Sequence, residues 1–336
     1  MTMKPTGSIQ IGYRAMKKAV VANSLFPTFR VGQWLRFPLL KWLTPLGSMP
    51  HERQLARTSK NATLAISAFF SWLALAYCPA ALAAEPAPGK VLLEELTSFE
   101  LREKIATGTT TVLIPIGGTE QNGPHIALGK HNVRVKFLAE KIAQRLGNAI
   151  VAPVLAYVPE GAIFPPAAHM RFSGTLSIPE TVFESLLEAT AKSFKQHGFH
   201  DVFFLGDHGG YQKSEARAAA RINQAWQGDS KFRAYGLTAF YEAAQMPYTQ
   251  ILRNKGFSDA QIGTHAGLSD TSLTLAVDQS LVRTHLLVQG ATTSPADGVY
   301  GDPRKATAEL GQIGIQLIVD RSVQAIQEAI KQRAVR

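Results

Sequence analysis

Thr111-Val112-Leu113-Ile114-Pro115-Ile116-Gly117-Gly118 decides the fold. Six β-prone or apolar residues closed by two glycines read as a buried strand ending in a turn. Downstream, Val133, Phe137, Leu138, Ile142 and Leu146 recur at helical spacing before Gly147, a helix stop. The alternation continues: strand over 149–153, helix over 179–196, strand over 201–205, helix over 213–226 and strand over 232–237. A helix opens near Asp270, and a long amphipathic helix spans 306–331. Short apolar runs alternating with amphipathic stretches predict an α/β fold, a three-layer αβα sandwich around a mostly parallel sheet.

Working outward, the 336 residues carry a formal charge of +10, which would ordinarily raise nucleic acid as a partner. Its distribution excludes that class. Residues 1–83 hold ten Lys/Arg against the single acid Glu52, whereas 84–336 hold 25 basic and 24 acidic residues. The excess belongs to a leader. Residues 62–84 are nearly all apolar, follow Arg53, Arg57 and Lys60, and end in Ala81-Leu82-Ala83 before a Pro-rich spacer. That is the shape of a secretory signal, placed at about 49–83 if translation begins at Met49. The predicted organisation is a leader over 1–84 and one domain over 85–336, periplasmic or secreted. An uncleaved run would instead anchor the chain, and the membrane is a partner only through that segment. The lone Cys78 lies inside this run, so the mature domain has no thiol ligand or nucleophile.

Three polar clusters follow predicted strands or precede a helix. Glu120, Asn122, His125 and His131 follow the first strand, Asp207 and His208 follow another, and His265 and Asp270 stand before a helix. Ligands of open α/β sheets bind outside the carboxyl ends of strands, so these loops are expected to converge. Carboxylate oxygens and imidazole nitrogens together suit zinc, manganese or iron. Each cluster alone also admits a bland role, such as a helix cap at Asp270. His169, His197, His200 and His285 show no partner pattern and read as surface or structural histidines.

Taken in order, Gly117 to His125 resembles the first motif of the creatininase family. Ser173 to Ser177, His208-Gly209-Gly210, His265-Ala266-Gly267 with Asp270-Thr271-Ser272, and Gly298 to Pro303 are similar to its later motifs. The resemblance spans about 92–330 and implies a creatininase-like fold, a homo-oligomer such as a hexamer, and a metal-dependent amidohydrolase acting on small cyclic amides, lactams or formamides. Two positions depart from the family pattern: Asn122 stands for a metal-binding His, and His131 for an Asp. A neutral imidazole offers one lone pair and cannot bridge two cations. The expectation is one divalent ion (Zn, Mn or Fe) per subunit, bound by Glu120, His131, His208 and Asp270, with Asp207 as a substitute. His265 and His125 are expected to move protons, and Asn122 to donate to the oxyanion. The alternative is a catalytically silent periplasmic binding or scaffold protein that retains the fold.

Overall fold

The computed structural model describes residues 89–288 and 294–334. The chain divides into two units, 1–79 and 80–336, and every described residue lies in the second. The signal run, Met49 and Cys78 therefore fall outside the described residues. Among the described residues no helix is long and apolar enough to cross a membrane.

Helix α1 (Ser98–Ala106) leads into strand β1 (Thr111–Ile116), helix α2 (Lys130–Leu146) and strand β2 (Ala149–Val151). Next come α3 (Glu180–Gln196), β3 (Asp201–Gly206), α4 (Gln212–Ala225) and β4 (Arg233–Gly236). The chain closes with α5 (Thr238–Gln245), α6 (Pro247–Asn254), α7 (Asp259–Ile262), α8 (Leu268–Val277), α9 (Thr284–Val288) and α10 (Ala308–Ala334). The four strands form one all-parallel sheet in the order β2-β1-β3-β4. Parallel strands sandwiched by helices are buried on both faces, which is why β1 and β3 are near-continuous apolar runs.

Side chains alternate between the two faces. Val112, Ile114 and Ile116 of β1 join Val202 and Phe204 of β3 in a core with Phe183 and Leu187 of α3 and Ala218 and Ile222 of α4. Leu113, Phe203 and Leu205 point the other way, into a core with Leu138 and Ile142 of α2, Phe240 of α5, Leu273 of α8 and Ile318 of α10. These two cores are the two seams of an αβα sandwich. Truncating a fully buried residue such as Phe203 to alanine would cost about 3–5 kcal/mol. At the foot of the sheet, Arg333 of α10 clamps Asp201 of β3 through bonds of 2.7 and 3.0 Å.

Two differences from the sequence expectation bear on function. Helix α2 starts at Lys130, capped by Gly129, a turn before its apolar period begins. Hydrophobic periodicity cannot register that turn because it is polar, yet Lys130, His131 and Arg134 are all buried. The helices from Thr238 to Ile262, between β4 and His265, also have no counterpart in the sequence reading.

Candidate metal centre

The sheet order reverses between β1, which is followed in sequence by β2 on one side, and β3, which leads to β4 on the other. Crevices at the carboxyl ends of such strands are where open α/β sheets bind ligands. The loop after β1 carries Glu120, the connection after β2 carries Glu160 and His169, and the turn after β3 carries Asp207 and His208. A cavity of about 410 Å³ opens here, lined by His169, His208, His265 and Tyr241 among others.

Local geometry seats each group. Gly117 lies so close to α2 that a Cβ would collide with Asn132 Oδ1, and this oxygen accepts the Gly118 N–H at 2.9 Å. Only glycine allows that approach, which turns the chain sharply into the Glu120 loop. Tyr211, wholly buried, donates its hydroxyl to the carbonyls of Ile116 and Gly117 and ties the β3 turn to the β1 turn. The Gly210 N–H donates to His208 Nδ1 at 3.2 Å, fixing that ring.

One ligand atom each from Glu120, Glu160, His169 and His208 lies within 4.8 Å of all the others. Glu120 Oε2 is 3.4 Å from His169 Nε2 and 3.8 Å from His208 Nε2, and Glu160 Oε2 is 3.5 Å from His208 Nδ1. Glu120 Oε2 and both Glu160 oxygens are buried without a hydrogen-bond partner. Buried carboxylate oxygens left unpaired are costly, and a cation among these four residues would offset that cost. Burial and the neighbouring Glu120 push the Glu160 carboxyl up to about 8. Burial holds the His208 imidazole at about 4, leaving a neutral ring. Two carboxylates and two neutral imidazoles fit a divalent ion of the zinc, manganese or iron type.

The remaining expected ligands serve another purpose. His131 lies between two acids, Nε2 2.7 Å from Glu120 Oε1 and Nδ1 2.6 Å from Asp207 Oδ2. Both ring nitrogens face carboxylate oxygens, which favours the protonated ring and turns no lone pair toward the cavity cluster. Burial and Lys130 oppose that charge, but Glu120 and Asp207 raise its pKa. The expectation of His131 as a ligand is corrected on this ground. Asp270 is likewise corrected: Lys130 Nζ pairs with its Oδ2, Arg134 Nη1 donates to its Oδ1 at 2.7 Å, and the Ala266 N–H donates to its Oδ2 at 3.0 Å. Although burial would raise it, Lys130 and Arg134 hold the Asp270 carboxyl well below the usual range. Asp207, the substitute ligand, is spent on His131 and on Arg134 Nε at 2.8 Å.

Of the three residues expected in catalysis, the cavity is lined by His265 alone. Its Nε2 donates to Gln121 O at 2.9 Å, and its Nδ1 lies 3.6 Å from Glu120 Oε1. Burial and Lys130 depress its pKa to about 3, so the ring is neutral. His125 is fully buried, with Nε2 3.0 Å from the Ala266 carbonyl and 3.2 Å from Thr271 Oγ1, which corrects its proton-transfer role to a structural one. Asn122 spends its amide N–H groups on the carbonyls of Glu120 and Ala127 and braces its own loop, so it does not reach an oxyanion.

Sequence patterns miss Glu160 and His169. Far from being a surface histidine, His169 stands 3.4 Å from Glu120 and 4.6 Å, ring to ring, from His265. Both residues come from 152–179, which hold no helix or strand element beyond the single 3-10 turn Ala168–Arg171. The signal that points to them is the position of this long connection, immediately after a strand's carboxyl end.

Comparison with known proteins bears on what these residues do. A family model described as Creatininase: Creatinine amidohydrolase matches residues 94–326. A mycofactocin precursor peptide peptidase of Mycolicibacterium smegmatis is 30% identical over 222 residues, 60% of this chain and 78% of its own length. A creatinine amidohydrolase of Pseudomonas putida is 24% identical over 260 residues, 72% of this chain and 96% of its own. A solved structure described as "Creatininase Mn" superposes with a TM-score of 0.60 at 23% identity, covering 71% of this chain and 98% of that one.

Proposed function

The chain belongs to the creatininase family, and on that premise we propose that it is a metal-dependent amidohydrolase that cleaves a non-peptide C–N bond of a small amide, lactam or formamide. The observation carrying this is the set of unpartnered buried oxygens on Glu120 and Glu160 facing His169 and His208. Those four residues would hold a divalent ion, which the manganese named for a structural neighbour supports, and the amidohydrolase name of the Pseudomonas putida relative supports the reaction class. When bound, such an ion supplies Lewis-acid polarisation of the amide carbonyl and a lowered pKa for a coordinated water.

The chain's own residues supply orientation and proton transfer. The His265 Nε2–H bond to Gln121 O leaves the Nδ1 lone pair beside the cluster, 3.6 Å from Glu120. Nδ1 accepts a proton as water attacks and returns it to the departing nitrogen. Burial and Lys130 keep the ring neutral, so this lone pair is available. The side chain of Gln121 holds the His169 ring in place, its Nε2 donating to the Gly298 carbonyl at 3.2 Å and lying 3.2 Å from His169 Nδ1. Export by the 49–83 segment and assembly into a homo-oligomer complete the proposal; the exposed apolar side chains of Ile163 and Phe164 support a protein contact.

The test is a panel of lactams, cyclic ureides and formamides assayed with the purified, manganese-loaded protein. Turnover of a panel member, abolished by Glu160→Gln and reduced at least about 100-fold by His265→Gln, is expected. A protein that binds the ion and turns over nothing would instead be the silent scaffold.

A further inference from the structure

The cavity wall holds more charge than a single metal site needs. Glu120, Asp207 and Asp270 face Lys130, His131 and Arg134, all six drawn together by contacts of 3.6 Å or less. All three bases lie in the first five residues of one helix, where the helix dipole disfavours positive charge. They are held there by the acids.

Lys130 is 1% exposed and its Nζ lies between Asp270 Oδ2, to which it is paired, and Glu120 Oε1 at 3.6 Å. A cation bound by one carboxylate from the β1 loop and one from the first turn of α8, with His265 Nδ1 also 3.6 Å from Glu120 Oε1, occupies what is in shape a metal position. Glu120 is thereby divided. Its Oε1 takes His131 and Lys130, while its Oε2 has no hydrogen-bond partner and faces His169 and His208.

Resting on the metal reading above, we propose that Lys130 is a built-in cation filling the position between Glu120 and Asp270, and that it limits the site to one divalent ion per chain. Glu160, by contrast, pairs with no Lys or Arg among the described residues, and its Oε2 faces His208 at 3.5 Å. One divalent ion fits among Glu120 Oε2, Glu160, His169 and His208. A second would meet the Lys130 ammonium at contact distance in a buried site, where like charges repel strongly.

The test counts Mn²⁺ per chain by calorimetric titration and elemental analysis on the wild-type protein and on Lys130→Ala, Lys130→Arg and Lys130→Gln. The expected counts are one for wild type, two for Lys130→Ala, whose vacated position is left with Glu120, Asp270 and His265, and one for Lys130→Arg. Should Lys130→Ala fail to fold by circular dichroism, Lys130→Gln decides: loss of the charge tightens the first ion at least tenfold. Two ions on the wild type, one on a folded Lys130→Ala, or unchanged affinity in Lys130→Gln overturns the role of Lys130 while leaving the hydrolase reading intact. No ion on the wild type overturns the hydrolase reading itself.

Discussion

Glu120 gives one oxygen to a network of fixed cations and turns the other, unpaired, toward two neutral imidazoles. Single residues near it therefore separate into those that hold a metal and those that hold the fold. Glu160→Gln is expected to weaken Mn²⁺ by about 100-fold or more, with little change in stability, because it removes a ligand carboxylate that no Lys or Arg of the described residues pairs. His131→Gln is expected to do the reverse: keep the ion and lose about 3 kcal/mol in urea denaturation, since Glu120 and Asp207 lose a buried charged partner. Equal metal loss in both variants would contradict the division. Glu120 and His208 are legible in the sequence because each directly follows a strand and sits among glycines. His131 and Asp270 read as ligands because their types suit a metal, and a sequence does not display the Lys130 and Arg134 charges that neutralise Asp270 across 136–140 residues. Glu160 and His169 carry no local pattern at all.

At the scale of elements, the β1 turn and α4 each carry a testable constraint. Gly117→Ala would push a methyl into the start of α2 at Asn132, where the backbone itself is 2.8 Å away. It is expected to lose about 1–3 kcal/mol in urea denaturation together with metal affinity, since Glu120 hangs on that turn. Unchanged affinity would show that the turn does not position the ligand. On α4, Glu215 is fully buried beneath Gly206 with neither oxygen hydrogen-bonded, and burial raises its pKa well above 4.5. The folded chain keeps that proton after the unfolded chain has released it, so the protein loses stability as pH rises above about 4.5, by ~1.4 kcal/mol per pH unit. Glu215→Gln removes this loss, and its advantage in melting temperature over wild type should grow from pH 5 to pH 8. A constant difference would show that Glu215 is ionised in the fold. The strands and long helices are legible because their apolar periods are unbroken. The polar first turn of α2 is not, because its burial depends on acids supplied by other loops.

For the whole molecule, the parallel sheet with helices on both faces brings three strand ends to one crevice, and the loops there supply every proposed ligand. The sandwich follows from alternating apolar runs, whereas convergence of the loops depends on tertiary packing, which is why two of the four proposed ligands emerge only in three dimensions. The location of one ion is decisive. Anomalous diffraction from crystals of the manganese-loaded protein, collected on both sides of the manganese edge, tests it most directly. The expected result is a single peak within bonding distance of Glu120, Glu160, His169 and His208. A peak coordinated by His131, Asp207 or Asp270, or no peak in a protein that hydrolyses amides, would contradict it.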